Sequence, residues 1–405
     1  MKRGFVTIDI EADAAFCVAA RRMSEFDRPV VEDPRDLTAY VPMTGLIGSL
    51  RAHATRRNED TANQLFGTLE SDDAVVVRGL GTRTHLGENA IARSQLQRRE
   101  QTAIDRERGA ARSMSLRKSQ AVPPGAVIRM YIEIISVASL DNFVELAQSW
   151  TPSIGSSRTA GLGRAHVKRI AYGILDTSIS DDREKFVSHT GPELVEKVAT
   201  TEATIEVQAT TAVWQCDFQV KGPVLVRGAT TGNTTAALQR SNQFHIDGTT
   251  WKGLFRSTAE FIVQSLCAAT KTPYSSDAID WLFGTSDRKG VLEFSETAIA
   301  NAQAKEHPRV HNSIDRITGG ASDKRLFCDL PAESGTLTLS VHATNQVPTW
   351  ARQLLDLVAR DIHDGYVGLG SATSRGYGSL QRTSPDSEFH ASTKWLEQVL
   401  TLEGA

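Results

Sequence analysis

The sequence predicts an α+β chain of two tandem ferredoxin-like modules, and three observations carry that prediction. The chain has 405 residues, more than one compact domain ordinarily holds. Four short motifs occur twice in the same order. Around them, the apolar periodicity reads strand–helix–strand, twice in each half. Gly48-Ser49-Leu50-Arg51 returns as Gly253-Leu254-Phe255-Arg256, both G-x-x-R. Leu65-Phe66-Gly67-Thr68 returns as Leu282-Phe283-Gly284-Thr285. Ile104-Asp105-Arg106 through Gly109 returns as Ile314-Asp315-Arg316 through Gly319. A loop spaced G-x5-G-x-G closes each series, from Gly155 to Gly163 and from Gly370 to Gly378. The offsets between partners run from 205 to 217, a spread that loop-length variation produces. Any single match is at chance level. Four in one order mark a duplication.

Residues 5–10 alternate as the opening strand of the first module, and residues 213–220 open the second. A helix begins near each G-x-x-R marker, with Leu46, Leu50 and residues 52–57 in the first module and residues 251–266 in the second. After L-F-G-T, strands are expected at 74–78 and 291–294, followed by a long polar loop leading to I-D-R. Strand 128–135 with helix 140–149, and strand 336–343 with helix 349–359, then precede the glycine loop and a closing strand. This ferredoxin-like order is shared with RNA recognition motifs, and by itself fixes no function. The expected domains are a first module at 1–175, a polar connector packed on the surface at 176–209, a second module at 210–385, and a tail at 386–405 with one short helix around 395–402.

A net charge of -3, with 40% hydrophobic and 23% charged residues, describes an ordinary soluble protein without whole-molecule attraction to nucleic acid. The basic charge is local. Between residues 93 and 129 stand nine cations, Arg93, Arg98, Arg99, Arg106, Arg108, Arg112, Arg117, Lys118 and Arg129, against three acids. That asymmetry is the footprint of a phosphate-tracking surface; a solvated loop with incidental arginines is the plainer alternative. Arg78, Arg83 and His85 extend the stretch, and Arg309, His311, Arg316, Lys324 and Arg325 form a smaller counterpart. Each glycine loop is either a tight turn or a nest of main-chain N–H groups for phosphate oxygens, with Arg375 adding a cation and Tyr377 a flat ring. Neither loop has the lysine of a phosphate-binding P-loop or the spacing G-x-G-x-x-G, which argues against an independent nucleotide-binding enzyme. Four cysteines lie far apart and ten histidines form no ligand spacing, so no structural metal is expected and a reducing cytoplasm is. Asp9, Glu11 and Asp13 interrupt any signal-peptide reading of the start, and no apolar run has membrane-spanning length.

These residues resemble the RAMP superfamily of CRISPR effector proteins, and more narrowly the Cas-seven-type backbone subunits of type III complexes. The most specific match is His311-Asn312-Ser313-Ile314-Asp315-Arg316-Ile317-Thr318-Gly319-Gly320-Ala321 followed by Leu326-Phe327. The fused pair of modules is similar to some type III-D-like and single-effector type III systems. The resemblance implies a subunit that binds CRISPR guide RNA along a basic groove, with a complementary target RNA read by base pairing. It implies further backbone modules and a large polymerase-like subunit as partners, and no membrane. It implies a thumb-like insertion in each module, at 87–118 and 301–325. It makes Arg51, Lys252 and Arg256 guide-RNA contacts, although each reads equally as a surface ion pair. Arg106, Arg112, Arg117, Arg316 and Lys324 join them from the basic insertions, and Gly161, Gly163, Ser374, Arg375, Gly376, Tyr377 and Gly378 from the loops. Tyr377 and Trp251 are either stacking platforms or core residues.

Phe26-Asp27-Arg28-Pro29-Val30-Val31-Glu32-Asp33-Pro34 carries the catalytic implication. In active members of the family an aspartate followed by x-P-V-x-x-D-P is needed for target RNA cleavage, and Asp27 matches it. A carboxylate there can deprotonate the 2′-hydroxyl or hold Mg²⁺ or Mn²⁺ for cleavage, while in-line geometry supplies most of the acceleration. Read without the resemblance, Asp27 is a turn or capping residue before Arg-Pro. In the second module, Gln239 or a neighbour is expected at this position, with Asp247 as a helix cap, which makes that module silent. Asp105 and Asp315, each followed by Arg, read as structural ion pairs. The expectation is an RNA-guided endoribonuclease subunit; the alternative is a purely structural guide-binding backbone.

Overall fold

The computed structural model describes residues 1–20, 26–68, 76–105, 110–205, 211–240, 242–343, 346–385 and 389–404. The chain forms two compact units, one of residues 1–158 and 162–209 and one of residues 159–161 and 210–405.

In the first unit the main strands are Lys2–Ala12, Val77–Leu86, Val127–Ile134 and Ala165–Asp176. They lie in the order fourth, first, third, second, with every neighbour antiparallel, which is the ferredoxin-like arrangement. Thr201–Glu202 and Asn89–Ala90 extend the two edges. Alternation along the opening strand sends Val6, Ile8 and Ile10 to one face. There they meet Leu46, Leu50 and Ala54 of helix Met43–Arg57 and Phe143 and Ala147 of helix Leu140–Gln148. The first helix starts ahead of its expected position because Pro42 ends the extended approach and the chain turns helical immediately after it.

The opposite face of this sheet is also covered. Phe5, Tyr131, Ala171 and Leu175 pack against Leu194, Val195 and Val198 of helix Gly191–Val198. The segment expected as a polar surface connector therefore supplies the second lid of the first sheet. Its polar side reaches the same strands: the Tyr131 hydroxyl donates to Glu196 at 2.7 Å, and burial with this carboxylate beside it pushes the phenol up to about 12.

The second unit repeats the plan with strands Trp214–Val220, Leu292–Phe294, Ser334–Ala343 and Leu380–Arg382, in the same fourth, first, third, second order. Helices Gly248–Thr270 and Thr349–His363 cover its inner face. An aromatic cluster fills the centre, with Trp251 stacked on Phe218 at 6.0 Å and Phe255 against Trp214 at 5.6 Å. Trp251 is fully buried, so it belongs to the core and offers no ring for a base. The tail helix Thr393–Thr401 buries Trp395, Leu396 and Val399 in the same core. No helix among the described residues is long and apolar enough to cross a membrane.

Each unit carries a β-hairpin inserted between its second and third sheet strands. In the first, Gln97–Gln101 pairs with Arg117–Ala121, and Ile104–Asp105 pairs with Ala110–Ala111. In the second, Arg309–Ile314 pairs with Ala321–Leu330.

Placing a charge under the lid of the first sheet tests its contribution. Val195→Asp, at a fully buried position, is expected to cost about 3 kcal/mol. Hydrogen exchange should show strands 2–12 and 165–176 losing protection while helix 248–270 keeps it.

Candidate nucleic-acid interface

The glycine loops are main-chain crossings. A Cβ on Gly155 would stand 2.1 Å from the Cys17 carbonyl oxygen, and one on Gly163 would stand 2.0 Å from that of Ile154. The second module repeats both contacts, Gly370 against Leu225 at 2.7 Å and Gly378 against Leu369 at 2.2 Å. All four glycines have φ between 74° and 88°. In both modules the crossing grips the segment just beyond the opening strand, where Phe16 bridges Val122 and Val224 bridges Ala332. Part of the loop's N–H groups are taken by this packing. Ser371 N–H donates to Leu225, Arg375 to Ala372, Gly376 to Thr373 and Gly378 to Pro223. The loop is therefore a clasp at its glycines, where the chain crosses its neighbour. Gly161, Gly163 and Gly378 are buried, and Tyr377 is 5% exposed, which removes its ring as a stacking platform. Ser374 and Gly376 remain exposed, and Gly376 has open space beside it.

Asp27 lies at the base of the first hairpin. Its N–H donates to the Lys118 carbonyl at 2.8 Å, and its Oδ2 accepts the Lys118 N–H at 2.9 Å. Arg28 then pairs in parallel with Ser119, and Gln120 N–H donates to the Arg28 carbonyl. Asp27 is half-buried, with Phe26 inward and the Arg98 guanidinium 5.4 Å from the Phe26 ring. The loop beyond is braced by Arg93, bidentate on Glu32 at 2.7 and 2.5 Å. Asp33 is fixed by Arg35 in the same way, which holds its carboxyl down to about 2.

The register of the second module identifies the true counterpart of Asp27. Thr235 pairs in parallel with Asp329 as Arg28 does with Ser119, and Arg309 lies opposite Asp329 as Arg99 lies opposite Ser119. Thr234 consequently occupies the position of Asp27, not Gln239. Asp247 does not cap its helix with its side chain: its Oδ1 accepts from Arg240 at 2.7 Å, and Arg240 also holds Glu296 at 2.6 Å. A guanidinium within reach of a buried carboxylate outcompetes the helix amides. Asp315 likewise makes a turn, not an ion pair with Arg316. Its Oδ1 accepts the Ile317 and Thr318 N–H groups at 2.9 and 2.8 Å, which lowers its carboxyl.

The cations divide into two groups. Arg112, Arg117, Arg316 and Lys324 are exposed on the hairpins, and Arg51 is half-buried on its helix; none has a side-chain partner among the described residues. Arg106 lies outside the described residues. Arg256, by contrast, is used internally, pairing with Asp280 at 2.7 Å and donating to the Gly284 carbonyl. Arg375 pairs with buried Asp329 at 2.9 Å. Residues 159–161 group with the second unit, where Lys252 Nζ donates to the Thr159 hydroxyl at 2.8 Å. Burial pushes the Lys252 ammonium down to about 8, with Arg256 and Lys289 adding to the effect.

One feature escaped the sequence reading. The hairpins expose apolar side chains: Ile104, Met114 and Leu116 on the first, and Val310, Ile314, Ile317 and Leu326 on the second. Val310 and Ile314 alternate along strand Arg309–Ile314 with Leu326 on the facing strand, whereas Met114, Leu116 and Ile317 lie in connecting turns and loops.

A sequence profile described as the RAMP superfamily matches residues 16–166 and 217–381. The chain belongs to the RAMP superfamily and carries the fold twice in tandem. Among solved structures, it is similar to a chain in "Cryo-EM structure of the Type III-B Cmr-beta bound to cognate target RNA", at 13% identity and a TM-score of 0.35. That similarity covers 42% of this chain and 61% of that one. No curated protein matches the sequence.

Two measurements check this geometry. Gly378→Ala meets the Leu369 carbonyl, whereas Gly376→Ala meets only its own positive φ, worth about 1–2 kcal/mol; urea unfolding should rank Gly378→Ala as the more damaging by at least about 1 kcal/mol. For Lys252, the folded chain has lost a proton between pH 8 and the ordinary value of 10.5 that the unfolded chain still binds. Stability from this group therefore rises with pH across that window. Lys252→Met should flatten the rise in unfolding free energy measured at pH 8 and pH 10.

Proposed function

We propose that this protein is a guide-RNA-binding backbone subunit of a type III CRISPR effector, and that its first module cleaves complementary target RNA. One observation carries the reading: each RAMP module inserts a hairpin at the same place in its sheet, and the basic one holds Asp27 at its base. Arg112, Arg117 and Lys118 of that hairpin, with Arg51, supply charge for the RNA backbone. The exposed Ile104, Met114 and Leu116, and their counterparts in the second module, give each hairpin an apolar wedge that can enter between bases and splay the duplex. Guide RNA, target RNA, further backbone modules and a large polymerase-like subunit are the partners this reading requires.

The chemistry follows from a single carboxylate. Asp27 takes the proton of a 2′-hydroxyl, whose oxygen bonds to the adjacent phosphorus in line while the bond from phosphorus to the 5′-oxygen breaks and that oxygen takes a proton from water. Its Oδ2 is oriented by the Lys118 N–H, and Lys118 in turn belongs to the hairpin strand, so base and hairpin move as one piece. Among the described residues no group of three His, Cys, Asp or Glu can cage a metal ion. Mg²⁺ or Mn²⁺ would be held by Asp27 together with RNA phosphate oxygens, supplying charge neutralisation and a more acidic 2′-hydroxyl. Thr234 has a hydroxyl where Asp27 has a carboxylate, so on this reading the second module lacks the carboxylate base at this position.

A second reading, a scaffold without cleavage, is favoured by the reciprocal Asp27–Lys118 hydrogen bonds, which already give Asp27 a structural role. Two variants separate the readings in the assembled complex with labelled guide-complementary RNA and Mg²⁺. Asp27→Asn keeps an oxygen acceptor for the Lys118 N–H and should retain guide RNA while cleavage at one position falls at least about 100-fold. Asp27→Ala should lose the same band. An unchanged ladder in both would make the protein a scaffold.

A further inference from the structure

We infer that the second hairpin is a pairing surface for a second copy of this chain, joined edge to edge through residues 309–314. The inference does not depend on the RNA reading. Strand Arg309–Ile314 is the outermost of a four-stranded sheet, with Ala321–Leu330 on one side and no strand among the described residues on the other.

Two hydrogen bonds fix which of its backbone groups face outward. The Cys328 N–H donates to the Asn233 carbonyl at 2.8 Å, away from Val310, its partner across the hairpin. The Asp315 N–H donates to the Gly320 carbonyl at 2.8 Å and so closes the ladder beyond the facing pair Ile314 and Ala321. In both facing pairs, therefore, each residue turns its N–H and C=O away from the other strand. Asn312, which faces Leu326 between them, follows by alternation. The N–H and C=O groups of Val310, Asn312 and Ile314 thus point out from the open edge, and none has a partner among the described residues.

Exposed edges are ordinarily blunted by charge or proline. The first module does this: at the place of Val310 it has Glu100, facing Lys118 with the charges 3.8 Å apart. The second module has Val310 facing Cys328, and no lysine or proline from 309 to 314. The hairpin's irregularity sits on the inner strand, where residues 322–325 bulge between the partners of Asn312 and Ile314. The outer strand stays continuous. Val310, Ile314 and Leu326 share one face and are 64%, 55% and 54% exposed. An apolar row beside an open ladder is what strand addition uses.

The edge is complementary to itself. Antiparallel pairing about a two-fold axis at Asn312 sets Val310 opposite Ile314 of the second copy and Asn312 opposite Asn312. On the other face His311 falls opposite Ser313, and Arg309 opposite Asp315, cation to carboxylate. No like charges meet. Among two-fold registers this is the one that pairs all three outward-facing residues of each copy, for six hydrogen bonds across the seam. The contact is smaller than a standard interface, so the pair is reversible and micromolar.

The test is the mass of the full, RNA-free chain by sedimentation equilibrium, titrated to about 100 μM. Wild type should pass from one copy to two as concentration rises. Val310→Lys puts an ammonium on the open edge and should raise the dissociation constant at least about 10-fold, with melting temperature unchanged. Phe261→Lys removes an exposed ring from helix Gly248–Thr270 and should leave the constant as it was. In a Cys328→Ser background, mild oxidation should link Asn312→Cys into a covalent pair, because that residue faces itself, and should not link Ser313→Cys. A chain that stays single to the top of the titration overturns the proposal. So does a pair that Val310→Lys leaves intact, equal linking at 312 and 313, or growth beyond two copies, which a two-fold contact forbids.

Discussion

Each module is held by a backbone crossing so close that no side chain fits into it. Where Gly155 passes the Cys17 carbonyl and Gly370 passes that of Leu225, the chain leaving the opening strand is clasped by the chain approaching the closing strand. Everything that distinguishes the modules hangs from this crossing. The loop bearing Asp27 leaves it on one side, and the hairpin returns to it through Val122 on the other. Positive φ and van der Waals exclusion both require glycine there. The interaction is steric, so it survives divergence of nearly everything around it.

That divergence is where function separates. Arg256 is neutralised by Asp280, while Asn63 takes the matching place before Gly67 and leaves Arg51 without a carboxylate. Both hairpins are fastened by parallel pairing to the segment before them, and the second is fastened in addition through Arg375, Phe327 and Tyr377 to its glycine loop. Two copies of one scaffold thus present different charge and different acids and bases at the same place.

The fold was legible because a duplication writes its pattern twice. Motif order, strand periodicity and the G-x-x-R helices located both sheets, and the hairpins fell where the polar insertions were. The site was less legible, for physical reasons. A glycine-rich spacing announces a special backbone without saying what it crosses, and here Gly370 and Gly378 pass the carbonyls of Leu225 and Leu369. Tyr377 and Trp251 could not be assigned to core or surface until the sheet packed against them. The loop's sequence points to Gln239 or a neighbour, whereas strand pairing at Thr235 and Asp329 sets the correspondence. Asp247 and Asp315 have partners determined by what lies within reach: a guanidinium for one, two turn amides for the other.

The helix at 191–198 changes how the chain can be made. Synthesis delivers residues in order, and a domain generally folds once its last necessary segment has left the ribosome. The first sheet has both of its covers by about residue 198, before any strand of the second module exists. A nascent chain can therefore finish one half and expose little apolar sheet while the other half is still being translated. For a protein whose two halves carry the same strand order, that timing protects against mispairing: a completed first sheet offers no vacancy to the strands that follow.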